Sequence, residues 1–433
     1  MAKNIIRPVK GTVDFYPDEM ALRSWLYATL QTVSESFGYQ EFEAPLIEPL
    51  ELYAAKSGEE LVEKQSFVFE DRGGNMVALR PELTPSLARM VAQRQNELVF
   101  PLRWWSFGPF WRYERPQRGR TREFLQWNID LIGVDTPEAD AELAAVAARF
   151  FEKAGLPSTE IVILINNREL MDSELERIGV PPEERPGVFN LIDRRDKMSP
   201  ENWEAFALET GLSGTQFEEL CSLLEDDDLW KKSESLVRFF EAGNAFGVSD
   251  YLKFAPYVIR GLAYYTGTVF EARDRDDEFR AILGGGRYDN LVGDVGGNPL
   301  PAVGFAMGDK VIEEVLRKFG RLPAAEVLRR PPVLVTVFDA ASIDASIAFA
   351  ALLRSEGLKT AVYPEAIRLG NQFRYADRTG VRFVAILGPE EQANGQVTIK
   401  DLRAGDQETM AVNQAATYLN GRMGEPANGR MGE

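Results

Sequence analysis

The chain contains no histidine and only one cysteine among its 433 residues. The first absence excludes an imidazole general base, a histidine metal ligand and the Ser-His-Asp and Cys-His catalytic arrangements. The second excludes an internal disulfide and any metal site built from protein histidine or cysteine. The lone Cys221 lies in QFEELCSLLED, a helical pattern in which it reads as a small core residue rather than a nucleophile. No apolar run approaches the roughly 20 residues that span a bilayer, and the opening MAKNIIRPVKGTVDF lacks the apolar stretch of a signal peptide, so a cytoplasmic protein without membrane partners is expected. Basic residues are also scarce: 49 Lys and Arg against 67 Asp and Glu leave a net charge of −18. Such a surface repels a polyanion at long range, so any nucleic-acid partner must meet a local basic patch.

That patch is present. Residues 103–130 read RWWSFGPFWRYERPQRGRTREFLQWNID, with five arginines and one acid between Arg112 and Arg122. The aromatic-rich flanks, 102–113 and 124–132, suit two antiparallel strands joined by a long loop. Planar guanidinium groups in such a loop bind phosphate in bidentate fashion. A solvated arginine-rich hairpin is the alternative.

A hydrophobic content of 45% over this length supports two to three domains. Helical periodicity over 19–37 passes into a strand-like pattern containing Pro45, and further strand character surrounds the turn signal Gly73-Gly74. Helices are expected over 85–94 and 137–154, with a strand over 160–165. Residues 167–250 change to short, acidic, amphipathic helices and read as an insertion. Sheet character returns in YLKFAPYVIRGLAYYTGTVFEARD, EFRAILGGGRYDNLV and PAVGFAMG, so the first domain, 1–166 with 251–325, is discontinuous. Beyond a proline-bearing linker, 331–420 alternates strands with helices, as a small α/β domain with a partly parallel sheet does. The tail, 421–433, repeats NGRMGE and reads as disordered.

Together WRYERPQRGRTREF, ALRPELTP, VIRGLAYYTGTVFE, AILGGGRYDNLV and PAVGFAMG resemble histidyl-tRNA synthetases, members of the class II aminoacyl-tRNA synthetases. The resemblance runs from about residue 10 to 419. It implies an α+β class II catalytic core of antiparallel sheet and helices, a helical insertion and a C-terminal α/β anticodon-binding domain. The implied activity joins L-histidine to tRNA(His) through a histidyl-adenylate, with ATP as substrate, Mg2+ carried mainly by its phosphates, and a homodimer built around the segment of Pro45.

By motif, the resemblance assigns Arg112 to the α-phosphate and the substrate carboxylate, Glu114 to ATP, Arg120 to the outer phosphates and Arg260 to the opposite side of the α-phosphate. It assigns the histidine pocket to Glu82, Leu83 and Thr84, to Gln126 and Asp130, and to Tyr264 and Tyr265, together with Arg112 and Arg260. Asp130 and Tyr265 would serve the two imidazole nitrogens and Glu82 the ammonium. For the adjacent tyrosines core packing is the competing reading. Arg374, Arg378 and Arg382 offer anticodon contacts or a solvated helix face. The sequence departs from the pattern at Val311, where class II enzymes usually carry an arginine for the terminal phosphate; either Lys310, Arg120 or Arg287 replaces it, or the affinity for ATP is reduced. The regulatory subunit of ATP phosphoribosyltransferase, a non-catalytic histidine sensor, resembles the same core. Retention of Arg112, Arg120, Arg260 and the C-terminal domain favours the ligase.

Overall fold

The computed structural model describes residues 5–54, 65–115, 117, 119–259, 265–324, 327–328 and 332–423. Two compact units result, Met1–Phe15 with Arg23–Leu322 and Tyr16–Leu22 with Pro323–Glu433.

The first unit is organised by strands β1 (Gln40–Glu41), β5 (Leu102–Trp111), β6 (Glu123–Ile132), β7 (Ile161–Asn167), β8 (Leu252–Phe254), β9 (Thr268–Asp274), β10 (Leu283–Tyr288) and β11 (Ala302–Gly308). They form one sheet in the order β1-β5-β6-β11-β10-β9-β7-β8. Its centre is antiparallel throughout, and only the edge pairs β1/β5 and β7/β8 are parallel. A three-stranded sheet of β2 (Ile47–Pro49), β4 (Met76–Leu79) and β3 (Phe67–Glu70) adjoins it in sequence. The long strand pattern around Pro45 is thus realised as two short strands, with Leu50–Ala54 turning helical. Proline cannot donate to a ladder, and Pro45 lies in the gap between the two strands while Pro49 is the last residue of β2, opposite Val77.

Side chains alternate across a strand, and the large sheet separates them by chemistry. On one face Trp105, Trp127, Ile129, Phe270, Val303 and Phe305 join Val146, Phe150 and Phe151 of the helix Pro137–Lys153 in the main core. Trp127 meets Phe305 edge-on at 4.9 Å and Phe150 at 5.5 Å. That helix begins where the sequence places it, because Thr136 accepts from the Ala139 amide and Pro137 presets the first turn. The opposite face carries Phe124, Gln126, Asn128 and Asp130 of β6 beside Gly284 and Gly286 of β10 and Gly304, Ala306 and Gly308 of β11. This row of small residues leaves a trough above polar side chains.

The insertion consists of helices Arg168–Arg177, Arg185–Asp193, Pro200–Glu209, Gly214–Leu224 and Glu234–Ala245. Asn167, Ser199, Ser213 and Ser233 cap four of them. Leu175, Leu220, Leu236 and Phe239 enter the same core as Phe150, so the insertion shares a compact unit with the sheet.

In the second unit β12 (Val333–Val335) pairs in parallel with β13 (Thr360–Val362) and β14 (Phe383–Ile386). Strands β15 (Gln396–Asp401) and β16 (Gln407–Ala411) then extend the sheet antiparallel. Helices Ile343–Ser355, Leu369–Arg378 and Ala415–Met423 complete it. Phe349 and Leu353 pack on one face of that sheet with Val333 and Val335, and Ala376 packs on the other with Leu334 and Val384.

Candidate functional site

A cavity of about 500 Å³ opens on the polar face of the large sheet. The connection between β5 and β6 contributes Arg112, Glu114, Gly119 and Arg120, β6 contributes Phe124 and Gln126, and β9 with the β9–β10 connection contributes Glu271, Arg273 and Arg280. Lys310 and Val311 from the helix Asp309–Lys318 line it too, as do Asp193 and Lys197 of the insertion. The lining holds six cations and four acids, a positive excess inside a protein of net charge −18. Such a site attracts polyanions by local field alone.

The arginine hairpin resolves into side chains with different fates. Arg112 reaches the cavity while its Nε donates to the Pro81 carbonyl at 3.0 Å, which ties it to the segment carrying Glu82. Arg120 pairs with Glu114 at 3.0 Å, in a tight turn where Gln117 and Arg120 exchange backbone hydrogen bonds and Gly119 has φ +69°. Arg122 is structural instead: its guanidinium stacks over Tyr113 at 4.1 Å and its amide donates to the carbonyl of Gly11. Arg118 lies outside the described residues, and Arg115 is not in the lining.

The segment 80–84 is held from beneath by Arg80, which is fully buried. It pairs with Glu43, donates from Nε to the Pro109 carbonyl at 2.9 Å and lies over Phe110. A side chain at Gly108 would collide with it, since a Cβ there would stand 2.4 Å from Arg80 Nη2. Glu82 is nine-tenths buried, Leu83 packs into a cluster with Ala44 and Phe110, and Thr84 opens the helix Thr84–Arg94. Leu83 therefore serves as an anchor, and only its backbone is available to a ligand.

Asp130 lies on the same face and strand as Gln126, about 13 Å farther along β6 by strand rise. Burial pushes its carboxyl up to about 7, although the Tyr288 hydroxyl, donating at 2.6 Å, opposes that rise. Gly304 lies directly across the ladder, and a Cβ on it would stand 2.0 Å from Asp130 Oδ1. Tyr265 is buried with Val269 and Tyr288, against Gly286. Cavity and carboxylate thus share one sheet face with Gln126 between them. Arg260 and Tyr264 lie outside the described residues.

Three side chains differ from the sequence reading or were missed by it. Arg287 leaves β10 on the face opposite the cavity and pairs with buried Asp140 at 2.6 Å, so it does not replace the arginine absent at Val311. Tyr288, in the stretch GGGRYD, was not foreseen as the donor to Asp130, and Arg280 was not foreseen at all. In the second unit Arg382 is bound to Asp401 at 3.0 Å, whereas Arg374 and Arg378 are exposed. Burial raises the Cys221 thiol, in keeping with an inert partly buried side chain.

Among the described residues no helix is long and apolar enough to cross a membrane, and no group of three acids, cysteines or histidines could hold a metal.

Comparison with known proteins agrees with this arrangement. Residues 11–312 match the family model of histidyl-tRNA synthetase, and residues 333–422 that of an anticodon binding domain. A chloroplastic/mitochondrial histidine–tRNA ligase of Arabidopsis thaliana is 38% identical over 412 residues, covering 93% of this chain and 84% of the relative. A histidine–tRNA ligase of Haloarcula marismortui is 37% identical over 414 residues, 92% of this chain and 94% of its own length. The crystal structure of histidyl-tRNA synthetase from Nostoc superposes with a TM-score of 0.83 at 26% identity, covering 97% of this chain and all of that one. A Bacillus halodurans structure described as an ATP phosphoribosyltransferase regulatory subunit/histidyl-tRNA synthetase shares the fold at 21% identity and a TM-score of 0.72, over 86% of this chain and 96% of that one. With residues 11–312 matched by the family model and its length matched almost end to end by such relatives, the chain belongs to the histidyl-tRNA synthetase family.

Proposed function

We propose that this chain attaches L-histidine to tRNA(His) in two steps, as a class II histidine–tRNA ligase. In the first, an oxygen of the histidine carboxylate attacks the α-phosphorus of ATP, the bond to the β-phosphate breaks, and pyrophosphate leaves with histidyl-adenylate formed. In the second, a hydroxyl of the terminal tRNA ribose attacks the adenylate's carbonyl carbon and AMP leaves, its phosphate oxygen accepting the hydroxyl proton. The attacking carboxylate is already ionised at neutral pH, so a protein lacking imidazole is competent for this chemistry.

The observation that carries the reading is one sheet face joining a cationic cavity to a buried carboxylate along β6. In this reading Arg112 bridges the α-phosphate and the histidine carboxylate, with Arg260 on the other side, and fixed cations offset the charge that builds on the phosphorus. Glu114 positions the nucleotide and Arg120 holds its outer phosphates. Oxygen donors facing the cavity, Glu114 and Glu271, suit a hard cation such as Mg2+. The ion would be held mainly through the phosphates of ATP, where it supplies charge neutralisation.

Asp130 accepts the imidazole N–H, Tyr265 and Gln126 complete the ring's hydrogen bonds, and Glu82 with the Thr84 segment and Tyr264 receives the ammonium end. An amino acid without an imidazole leaves those buried groups unpaired, at about 1–3 kcal/mol each. The C-terminal unit, with exposed Arg374 and Arg378, reads the anticodon stem of tRNA(His) in a cytoplasmic homodimer. The reading is tested by charging a tRNA(His) transcript with labelled histidine. Acylation that depends on ATP and on that transcript supports it; binding of histidine without acylation would instead indicate a histidine sensor.

A further inference from the structure

Val311 occupies the helix position at which a cation for the terminal phosphate is expected, and it lines the cavity with an aliphatic side chain. Besides Arg112 and Arg120, three other cations that line the cavity are already engaged. Lys310 is held by Asp309 at 3.2 Å, Arg273 by Glu271 at 2.5 Å and Asp277 at 2.9 Å, and Lys197 by Asp193 at 2.8 Å. Arg280 differs. It lines the same cavity with an exposed side chain, and among the described residues no acid lies within 4.0 Å of its guanidinium.

Its backbone, by contrast, is fixed. Buried Asp274 accepts the amides of Glu278 and Phe279, Phe279 inserts into the main core, and the Ile282 amide donates to Ala272 to start β10. Arg280 therefore projects from a rigid support between two anchors. Partial desolvation and then the like charge of Arg120 hold its guanidinium below the usual value, with Glu114 opposing and Arg112 adding to the repulsion. Arg280 thus faces the two arginines assigned to ATP, and a bound anion among the three relieves their mutual repulsion.

We propose that Arg280, projecting from the β9–β10 connection, takes the role left open at Val311 and engages the outer phosphates of ATP. This deepens the reading above and rests on it, because it requires ATP in this cavity. A planar fork set opposite Arg120 clamps the β- and γ-phosphates from two sides, and it releases them as pyrophosphate once the α-phosphorus bond breaks.

The test is histidine-dependent ATP–pyrophosphate exchange with the unmodified chain, Arg280→Ala, Arg280→Lys and the double variant Arg280→Ala/Val311→Arg. Loss of a charge-assisted contact is expected to raise the KM for ATP by about tenfold or more. The KM for histidine and the melting temperature should stay close to those of the parent. Inhibition by inorganic pyrophosphate should weaken by a comparable factor while inhibition by AMP is unchanged, a split that a merely structural role would not produce. Arg280→Lys should fall between, and the double variant should recover most of the ATP affinity from the helix side. An ATP KM within about twofold of the parent in Arg280→Ala, or equal weakening toward pyrophosphate and AMP, overturns the assignment. Absence of exchange in the unmodified chain would instead overturn the ligase reading, so the two failures are distinct.

Discussion

Asp130→Asn should make this protein more stable and less active. Burial raises the Asp130 carboxyl from 3.8 to about 7, so the folded chain holds a proton that the unfolded chain has already released. Stability linked to this group is therefore fully present below about pH 4, falls as pH rises to about 7, and is flat above that. A shift of about three units at about 1.36 kcal/mol each sets the loss at no more than about 4 kcal/mol. Asparagine keeps the shape and can still accept from Tyr288, but carries no charge, so the variant escapes that loss. Because the isoelectric point is near 4.8, the useful range is about pH 5.5 to 8, across which about 2 kcal/mol of the difference should develop. Urea unfolding followed through the fully buried Trp105 and Trp127 reports this sheet directly. The variant should gain on the parent as pH rises, while other buried carboxyls such as Asp140 and Asp309 cancel in the difference. The same substitution should abolish histidine-dependent exchange, which would mark the buried charge as one retained for ligand binding at a cost in stability. A parent and variant whose midpoints stay parallel across the range would refute the account of Asp130.

Arg112→Ala should reduce histidine-dependent exchange by about a hundredfold or more, as expected for loss of a charge-stabilising group, with the circular dichroism spectrum unchanged. Gly304→Ala places a methyl group 2.0 Å from Asp130 Oδ1 and 2.8 Å from the Ile129 carbonyl, neither of which can move freely. A loss of about 1–3 kcal/mol in urea denaturation and a rise in the KM for histidine well beyond any change for ATP should follow. Arg287→Met strands the buried Asp140 carboxylate and should cost about 3–5 kcal/mol, whereas Arg287→Met with Asp140→Leu should recover most of it and retain exchange. If Arg287→Met instead chiefly weakened ATP, the assignment of Arg287 to the core side would fail.

Local elements were legible because local rules decide them. The helix expected over 137–154 forms as Pro137–Lys153 on its proline and threonine cap, and the arginine hairpin forms as β5 and β6 from its aromatic flanks. What the sequence hid was the facing of neighbouring residues. In GGGRY the strand period of two sends Arg287 to the core side and Tyr288 to the site side, and the sequence alone does not say which face is which. Arg280 sits in DRDDEFRAI, where acidic neighbours make it look like part of a solvated turn. Only the β9/β10 register and the burial of Phe279 bring it opposite Arg120. Arg122 shares the arginine-rich run with Arg112 and Arg120, yet it packs against Tyr113 and Gly11, a contact no local pattern carries. The contact between Tyr288 and Asp130 spans 158 residues and follows from sheet order, which no local pattern carries.

The most direct test of the central claim is ATP–pyrophosphate exchange on the purified chain, scanned over all twenty amino acids with Arg260→Ala as a control. The account predicts exchange with histidine alone, lost in the variant. Exchange driven by a different amino acid, or none from a folded chain that binds histidine, would contradict it.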